Sequence, residues 1–222
     1  MCGRFTLTSP PDRLRARFNL STAPEPYEPR YNIAPSQPVL VIPNRAARLL
    51  RPARWGLIPH WATDGRIGQR MINARAETLS ERPAFRDALA HRRCLIPADG
   101  FYEWRREGRA RRTPYYVRAR DGEPLAFAGL WDVWRAPTGE RVASCAIVTT
   151  AANDALAPIH DRWPVLLPVE AYERWLHPGP CAAEGLAPLL RPCDPEWLEA
   201  YPVTPLVNSP ENEGPQCVEP AS

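Results

Sequence analysis

Apolar residues recur in alternation or in short unbroken runs at 38–42, 47–50, 71–75, 93–96, 100–104, 115–119, 125–134 and 142–149, and proline, glycine or aspartate interrupts the series. A period of two marks extended chain, so this rhythm predicts a meander of strands. Phe5 to Thr8 adds a short strand near the start. Helical spacing is rarer. Residues 11–20 place Leu14 and Phe18 on one face, and 80–91 reads as the clearest helix, with Ser80 as N-cap and Pro83 inside the first turn. Weaker helical patterns follow at 168–176 and 194–200. A proline-rich connector (Pro24, Pro26, Pro29) leads to Tyr31, and Arg105, Arg106, Arg109, Arg111 and Arg112 form a basic hairpin tip that reads as a solvated loop. No repeat or linker divides the chain, so one α+β domain built on antiparallel strands is expected. From about residue 208, Ser-Pro-Glu-Asn-Glu-Gly-Pro has a disordered composition, which sets the expected domain at 2–208 and a disordered tail at 209–222.

Composition narrows the class. At 44% hydrophobic and 24% charged over 222 residues, the chain can bury a core, and no stretch approaches the roughly 20 apolar residues of a spanning helix. Membrane partners are not expected. The start, Met-Cys-Gly-Arg-Phe-Thr, lacks the apolar segment of a signal peptide, so a cytoplasmic location is expected. A formal charge of +3 permits a polyanionic partner without announcing one. All 28 cationic residues are arginine; there is no lysine.

The six cysteines form no CxxC pair and no histidine stands at zinc-like spacing, so reduced thiols and neither metal nor cofactor are expected. Cys94 and Cys145 lie in apolar runs and read as core. Cys2 differs by position. Removal of Met1 by methionine aminopeptidase would leave it carrying a thiol and an α-amine on adjacent carbons. An α-amine, with a pKa of about 7.7–8.0 against about 10.4 for lysine, is far more nucleophilic at neutral pH. With an aldehyde it gives an imine, which the neighbouring thiol can close to a five-membered thiazolidine.

Three polar clusters sit inside apolar sequence, where burial is costly unless the group is satisfied or used. In Ile72-Asn73-Ala74-Arg75-Ala76-Glu77-Thr78, strand alternation sends Asn73 and Arg75 to one face. In Asp99-Gly100-Phe101-Tyr102-Glu103-Trp104, a carboxylate between two aromatics predicts a raised pKa and a general acid or base. In Ile159-His160-Asp161-Arg162-Trp163, His160 is the one histidine surrounded by polar functional groups.

These clusters, with Met-Cys-Gly-Arg-Phe, Arg-Tyr-Asn-Ile-Ala-Pro-Ser, Trp55-Gly-Leu-Ile-Pro-His-Trp61, Arg-Cys-Leu-Ile-Pro and Phe-Ala-Gly-Leu-Trp, form an ordered series across nearly the whole chain. In that order the sequence resembles the SRAP (SOS response-associated peptidase) family. The resemblance implies a single compact α+β domain around an antiparallel, barrel-like sheet with flanking helices. It implies binding of single-stranded DNA and a covalent crosslink between Cys2 and the ring-opened aldehyde of an abasic site, shielding the lesion in the DNA damage response. On this reading Asn73 positions Cys2, Glu103 acts near its amine and His160 assists at the sugar. Arg4, Asn32, Pro35, Trp61, Arg75, Trp104 and Arg162 line the DNA path, with Thr149 or Thr150 as a further contact. Trp163 stands where relatives usually carry methionine, so the pocket near His160 is expected to differ in shape. The protein is expected to act as a monomer, associated with the nucleoid when on DNA.

Three other readings remain open. An N-terminal-nucleophile amidotransferase also begins Met-Cys-Gly, although its Arg-x-Arg-His and Asn-Gly-Asp patterns are missing. An autoproteolytic cysteine peptidase that removes residues ahead of Cys2 is compatible with crosslinking. A passive single-stranded DNA-binding module would not form a covalent adduct.

Overall fold

The computed structural model describes the chain except residues 1, 23–26, 109–110, 155 and 222. Twelve strands and four α-helices are seen among the described residues. The strands are β1 (Phe5–Leu7), β2 (Arg30–Ile33), β3 (Pro38–Pro43), β4 (Arg51–Trp55), β5 (Asn73–Arg75) and β6 (Arg93–Ala98), then β7 (Gly100–Glu107), β8 (Arg111–Ala119), β9 (Leu125–Arg135), β10 (Arg141–Ala151), β11 (Arg162–Pro164) and β12 (Leu198–Pro202). The helices are α1 (Pro11–Phe18), α2 (Pro83–His91), α3 (Tyr172–Trp175) and α4 (Ala183–Leu186).

Five strands close on themselves. β10 pairs with β4, β4 with β3, β3 with β6, β6 with β9, and β9 returns to β10, giving a barrel-like ring. The second sheet runs β12, β8, β7, β1, β2, all antiparallel. The α+β class and barrel-like sheet expected from the sequence are therefore present, with one difference. β10 pairs in parallel with both β4 and β5.

That long strand changes neighbours along its length. On one edge β4 accompanies residues 144–145 and β5 takes over at 147–149; on the other, β9 runs to Ile147 and β11 follows from Thr149. The last residues of β10 are thus framed by Asn73–Arg75 on one side and Arg162–Pro164 on the other.

One aromatic cluster joins the two sheets. Phe5 of β1 meets Trp55 edge-on at 5.1 Å and Phe127 of β9 at 5.8 Å, while Phe101 of β7 meets Phe127 at 5.8 Å. Such contacts add roughly 0.5–1.5 kcal/mol each beyond area burial. β1 itself is tied at its end by Asp99, whose carboxylate accepts from the backbone N–H and the hydroxyl of both Thr8 and Ser9. Gly100 is required where β7 begins, because a Cβ there would lie 2.5 Å from the Tyr116 ring and hydroxyl and 2.6 Å from the Val117 carbonyl.

The helices follow their sequence signals with two corrections. α1 starts on Pro11 and buries Leu14 and Phe18; Asn19 ends it at φ 47°, a left-handed conformation asparagine tolerates. In α2 the cap position is Arg82, with Pro83 first in the helix, so Ser80 does not cap it. Residues 194–200 divide into a short 3-10 turn (Pro195–Trp197) and β12, because pairing with β8 outweighs the weak helical pattern. The run 47–50 precedes β4 and is not itself a strand.

The basic tip is a β7–β8 hairpin with Arg105 opposite Thr113 and Arg106 opposite Arg112, Arg109 lying outside the described residues together with Pro24 and Pro26 of the connector. All six cysteines are unpaired, and Cys94 and Cys145 are buried in the core as expected.

The expected disordered tail is a correction. Over residues 209–221 the segment folds back, with Val203 bridging Pro220 and Cys217 buried beside Tyr102, Tyr116, Val203 and Val207. Its polar residues bond to the body of the protein. Glu213 accepts from Arg30 Nε at 2.9 Å and from the backbone N–H groups of Tyr31 and Asn32. Among the described residues no helix is long and apolar enough to cross a membrane.

Candidate active site

Cys2 lies three residues ahead of β1 and is fully buried. Its carbonyl oxygen accepts a 2.8 Å hydrogen bond from Asn73 Nδ2, at the start of β5. Burial pushes the Cys2 thiol well above its ordinary range, and the Glu103 carboxylate adds to that shift. The thiol is therefore neutral at physiological pH.

Glu103 reaches the same place from β7. Alternation along the strand puts it on the face of Phe101, inward, with Tyr102 and Trp104 on the other. Only 2% of it is exposed. Burial raises its carboxyl to about 7, against an opposing pull from the Trp104 backbone. The raised pKa expected from the flanking aromatics is thus present, and burial is its main cause.

His160 precedes β11. Its Nδ1 accepts the Arg162 backbone N–H at 3.0 Å, and Asp161 Oδ1 lies 2.9 Å from the same nitrogen. Burial lowers the imidazole pKa, opposed by Asp161. Trp163 packs edge-on against Phe101 at 5.0 Å and donates from Nε1 to the His160 carbonyl at 2.8 Å. The indole that departs from the family pattern therefore holds the histidine's backbone.

The remaining expected residues divide by what their polar groups do. Arg162 is bidentate to Glu77 at 2.8 and 3.0 Å and also donates to the Thr149 carbonyl at 2.7 Å. Thr149 and Thr150 are both buried, at the end of β10. Arg4 donates to Asn32 Oδ1 at 2.8 Å and to the carbonyls of Val207 and Asn208 at 2.6 and 3.1 Å, with its guanidinium 6.0 Å from the Trp104 ring centre. Trp104 Nε1 donates to Asn208 Oδ1 at 2.7 Å. Pro35 stands in a tight turn with Ser36 at φ 71°. Arg75 and Trp61 are exposed.

Asn32 is fully buried, and its amide nitrogen donates to the carbonyls of Ser209 and Asn212 at 2.8 and 2.9 Å, with Val207 at 3.3 Å. In this arrangement it fastens the C-terminal segment. Sequence reasoning gave no site role to Glu77, Asn208 or Glu213. Glu77 had a signal, since it stands two residues after Arg75 in the same motif; Asn208 ends the expected domain without one, and Glu213 lay in sequence read as disordered.

No group of three or more metal-binding side chains is present among the described residues. The cluster therefore offers a buried thiol, a carboxyl poised near neutrality, a low-pKa imidazole and an amide holding the backbone between them. That set suits proton transfer around an amine or carbonyl.

Comparison with known proteins adds the following. Residues 1–210 match the family model described as SOS response associated peptidase (SRAP). The chain is 47% identical over 222 residues to the abasic site processing protein YoqW of Bacillus subtilis (strain 168), covering 99% of each. It is 43% identical to the abasic site processing protein YoaM of the same organism, covering 99% of this chain and 98% of YoaM. A crystal structure of a protein from Bacteroides thetaiotaomicron superposes with a TM-score of 0.89 at 28% identity, covering 100% of both chains.

Proposed function

The chain belongs to the SOS response associated peptidase family, and from that membership we propose that it processes abasic sites in DNA as part of the response to DNA damage. In finer detail, it binds single-stranded DNA as a monomer and joins Cys2 covalently to the aldehyde of the abasic sugar. The observation that carries this reading is the carboxyl of Glu103, buried, raised to about 7 by that burial, and close enough to the Cys2 thiol to act on its charge.

The chemistry proceeds in three steps. Glu103 and His160 move protons to open the sugar to its aldehyde. With Met1 removed, the Cys2 amine adds to C1′ and the carbonyl oxygen leaves as water, giving an imine. The Cys2 S–H then adds across the C=N bond, sulfur to carbon and proton to nitrogen, closing the thiazolidine. A neutral thiol suits this step because it carries the proton that the nitrogen receives. The order matters, since an imine left open labilises the 3′ phosphate to β-elimination. A thiol on the adjacent carbon has a large effective molarity, and capture outruns strand cleavage. Asn73 holds the Cys2 carbonyl throughout, so amine and thiol keep one orientation. Removal of residues ahead of Cys2, by an aminopeptidase or by the chain itself, is the prerequisite.

The test is incubation with a single-stranded oligonucleotide bearing one abasic site, read by denaturing gel and intact mass. A complex that survives heat and denaturant, with mass equal to protein lacking Met1 plus oligonucleotide minus one water, is expected. Binding that never survives denaturation would leave a passive DNA-binding module and overturn the covalent reading.

A further inference from the structure

The loop after β4 grips one residue from both sides. Asp132 and Trp134 stand two apart on β9, and both reach the loop around residue 61. One carboxylate oxygen of Asp132 accepts the His60 backbone N–H at 2.9 Å and the His60 ring Nδ1 at 3.0 Å. The other oxygen pairs with Arg92 Nε at 3.1 Å. On the far side, Trp134 Nε1 donates to the Ala62 carbonyl at 2.6 Å. The Ala62 N–H closes the turn on the Pro59 carbonyl at 2.9 Å. Gly65 packs the same loop onto Trp134, with room for no more than a tight Cβ, 3.0 Å from the ring.

Residues 60 and 62 are thus both anchored to β9, and the residue between them is Trp61, whose indole is 52% exposed, more than any other large hydrophobic among the described residues. Asp132 and Trp134 are themselves buried. Two rigid, buried anchors around one solvated aromatic remove much of the ordering cost that a ligand would otherwise meet. An exposed indole offers a flat surface to a nucleobase regardless of its identity. Arg66 and Arg70, later on the same segment, are exposed, Arg66 in an ion pair with Asp64.

We propose that Asp132 and Trp134 are positioning residues that hold Trp61 as a preset stacking platform for one base of single-stranded DNA. This inference rests on the DNA-binding reading above. It assigns the platform's rigidity to two side chains that never touch the nucleic acid.

A double-mutant cycle tests it. Binding of a fluorescent single-stranded oligonucleotide without an abasic site is followed by anisotropy for wild type, Trp61→Ala, Asp132→Asn, Trp134→Phe and each pairing with Trp61→Ala. Trp61→Ala is expected to weaken binding about tenfold, the scale of one stacked base. Asp132→Asn, which deletes the charge at constant volume, and Trp134→Phe, which deletes the indole N–H with part of the ring, are expected to weaken it about threefold or more when Trp61 is present and to have no further effect when it is not. The platform is overturned by equal losses with the indole present and with it removed, which is what a merely structural role produces, or by Trp134→Phe binding as wild type does. A wild-type protein that binds no single-stranded DNA instead overturns the reading on which the inference rests.

Discussion

The Asn73 side-chain amide donates to the Cys2 carbonyl oxygen at 2.8 Å, across 71 residues of sequence. This bond fixes the backbone of the residue that would carry both reacting atoms. Asn73→Ala is expected to slow adduct formation by roughly tenfold, the scale of one hydrogen bond spent on alignment, while binding to undamaged single-stranded DNA is unchanged. Time courses on denaturing gels, set beside anisotropy, check the separation. An equal loss in both measurements would mean that Asn73 serves binding or folding.

Glu103 makes a prediction about stability as well as rate. Its carboxyl is raised from 4.5 to about 7, chiefly by burial. A folded-state pKa above the unfolded one means that the folded chain holds more protons between those values, so stability is lost as pH rises through that window. At about 1.4 kcal/mol per pH unit the penalty above neutrality reaches about 3 kcal/mol. Glu103→Gln is therefore expected to melt higher than wild type at pH 8 and to show a smaller gain on moving to pH 5. Calorimetry at the two pH values checks this.

The same substitution separates two titrations in the rate. Wild-type crosslinking is expected to rise with pH through about 7 as the carboxylate forms. A further rise is expected near the α-amine pKa of about 7.7–8.0. In Glu103→Gln the rate is expected to fall at least about tenfold, in keeping with a lost general acid or base, leaving the amine limb alone. Single-turnover pH profiles decide it, and an unchanged lower limb would remove Glu103 from the chemistry.

A free amine at residue 2 is the central requirement. A tag fused ahead of Cys2, or Met1 retained, is expected to abolish the adduct. Cys2→Ala is expected to abolish the stable product while leaving imine chemistry, visible as strand cleavage. Because the chain contains no lysine, a borohydride-reducible imine is assigned to the amino terminus without peptide mapping. Full activity from an N-terminally blocked protein would refute the aminothiol route.

The C-terminal segment is expected to be structural. Glu213 satisfies two backbone N–H groups and Arg30, so Glu213→Ala leaves donors without their acceptor and is expected to cost about 1–3 kcal/mol. Truncation after residue 208 is expected to cost more, since it also uncovers the aromatic face around Tyr102 and Tyr116. Thermal melts check both, and a truncated chain as stable as the whole would restore the reading of the segment as a free tail.

What was legible in the sequence was local. β3, β6, β7, β9 and β10 follow alternating or unbroken apolar runs that each segment carries on its own. Closure of the ring was not legible from that pattern, because the parallel pairing of Ser144 with Arg54 joins segments 90 residues apart. Leu198–Pro202 became a strand because β8 offered an edge that no local pattern reveals. Cys2 stood out by its position, and Asn73 and Glu103 as polar groups in apolar surroundings. Asn32 came only through the family resemblance, and its amide donates to carbonyls of the chain itself. A buried amide that serves the fold and one that faces a groove look alike in sequence. The final segment misled for a related reason: its polar residues bond to the domain, so polarity there marks attachment.

β1 lies between β2 and β7, with Phe5 opposite both Ile33 and Phe101, and the ladder extends to a bond from the Tyr102 N–H to the Arg4 carbonyl at 3.0 Å. Cys2 is the short lead into that interior strand. A DNA strand attached there would pull along the strand axis, at right angles to ladder bonds that run across it. Traction along that axis would therefore load those bonds together in shear, whereas an edge strand can be peeled one bond at a time. Single-molecule pulling on the proposed adduct is expected to find it stronger than the same load applied through the edge strand β12.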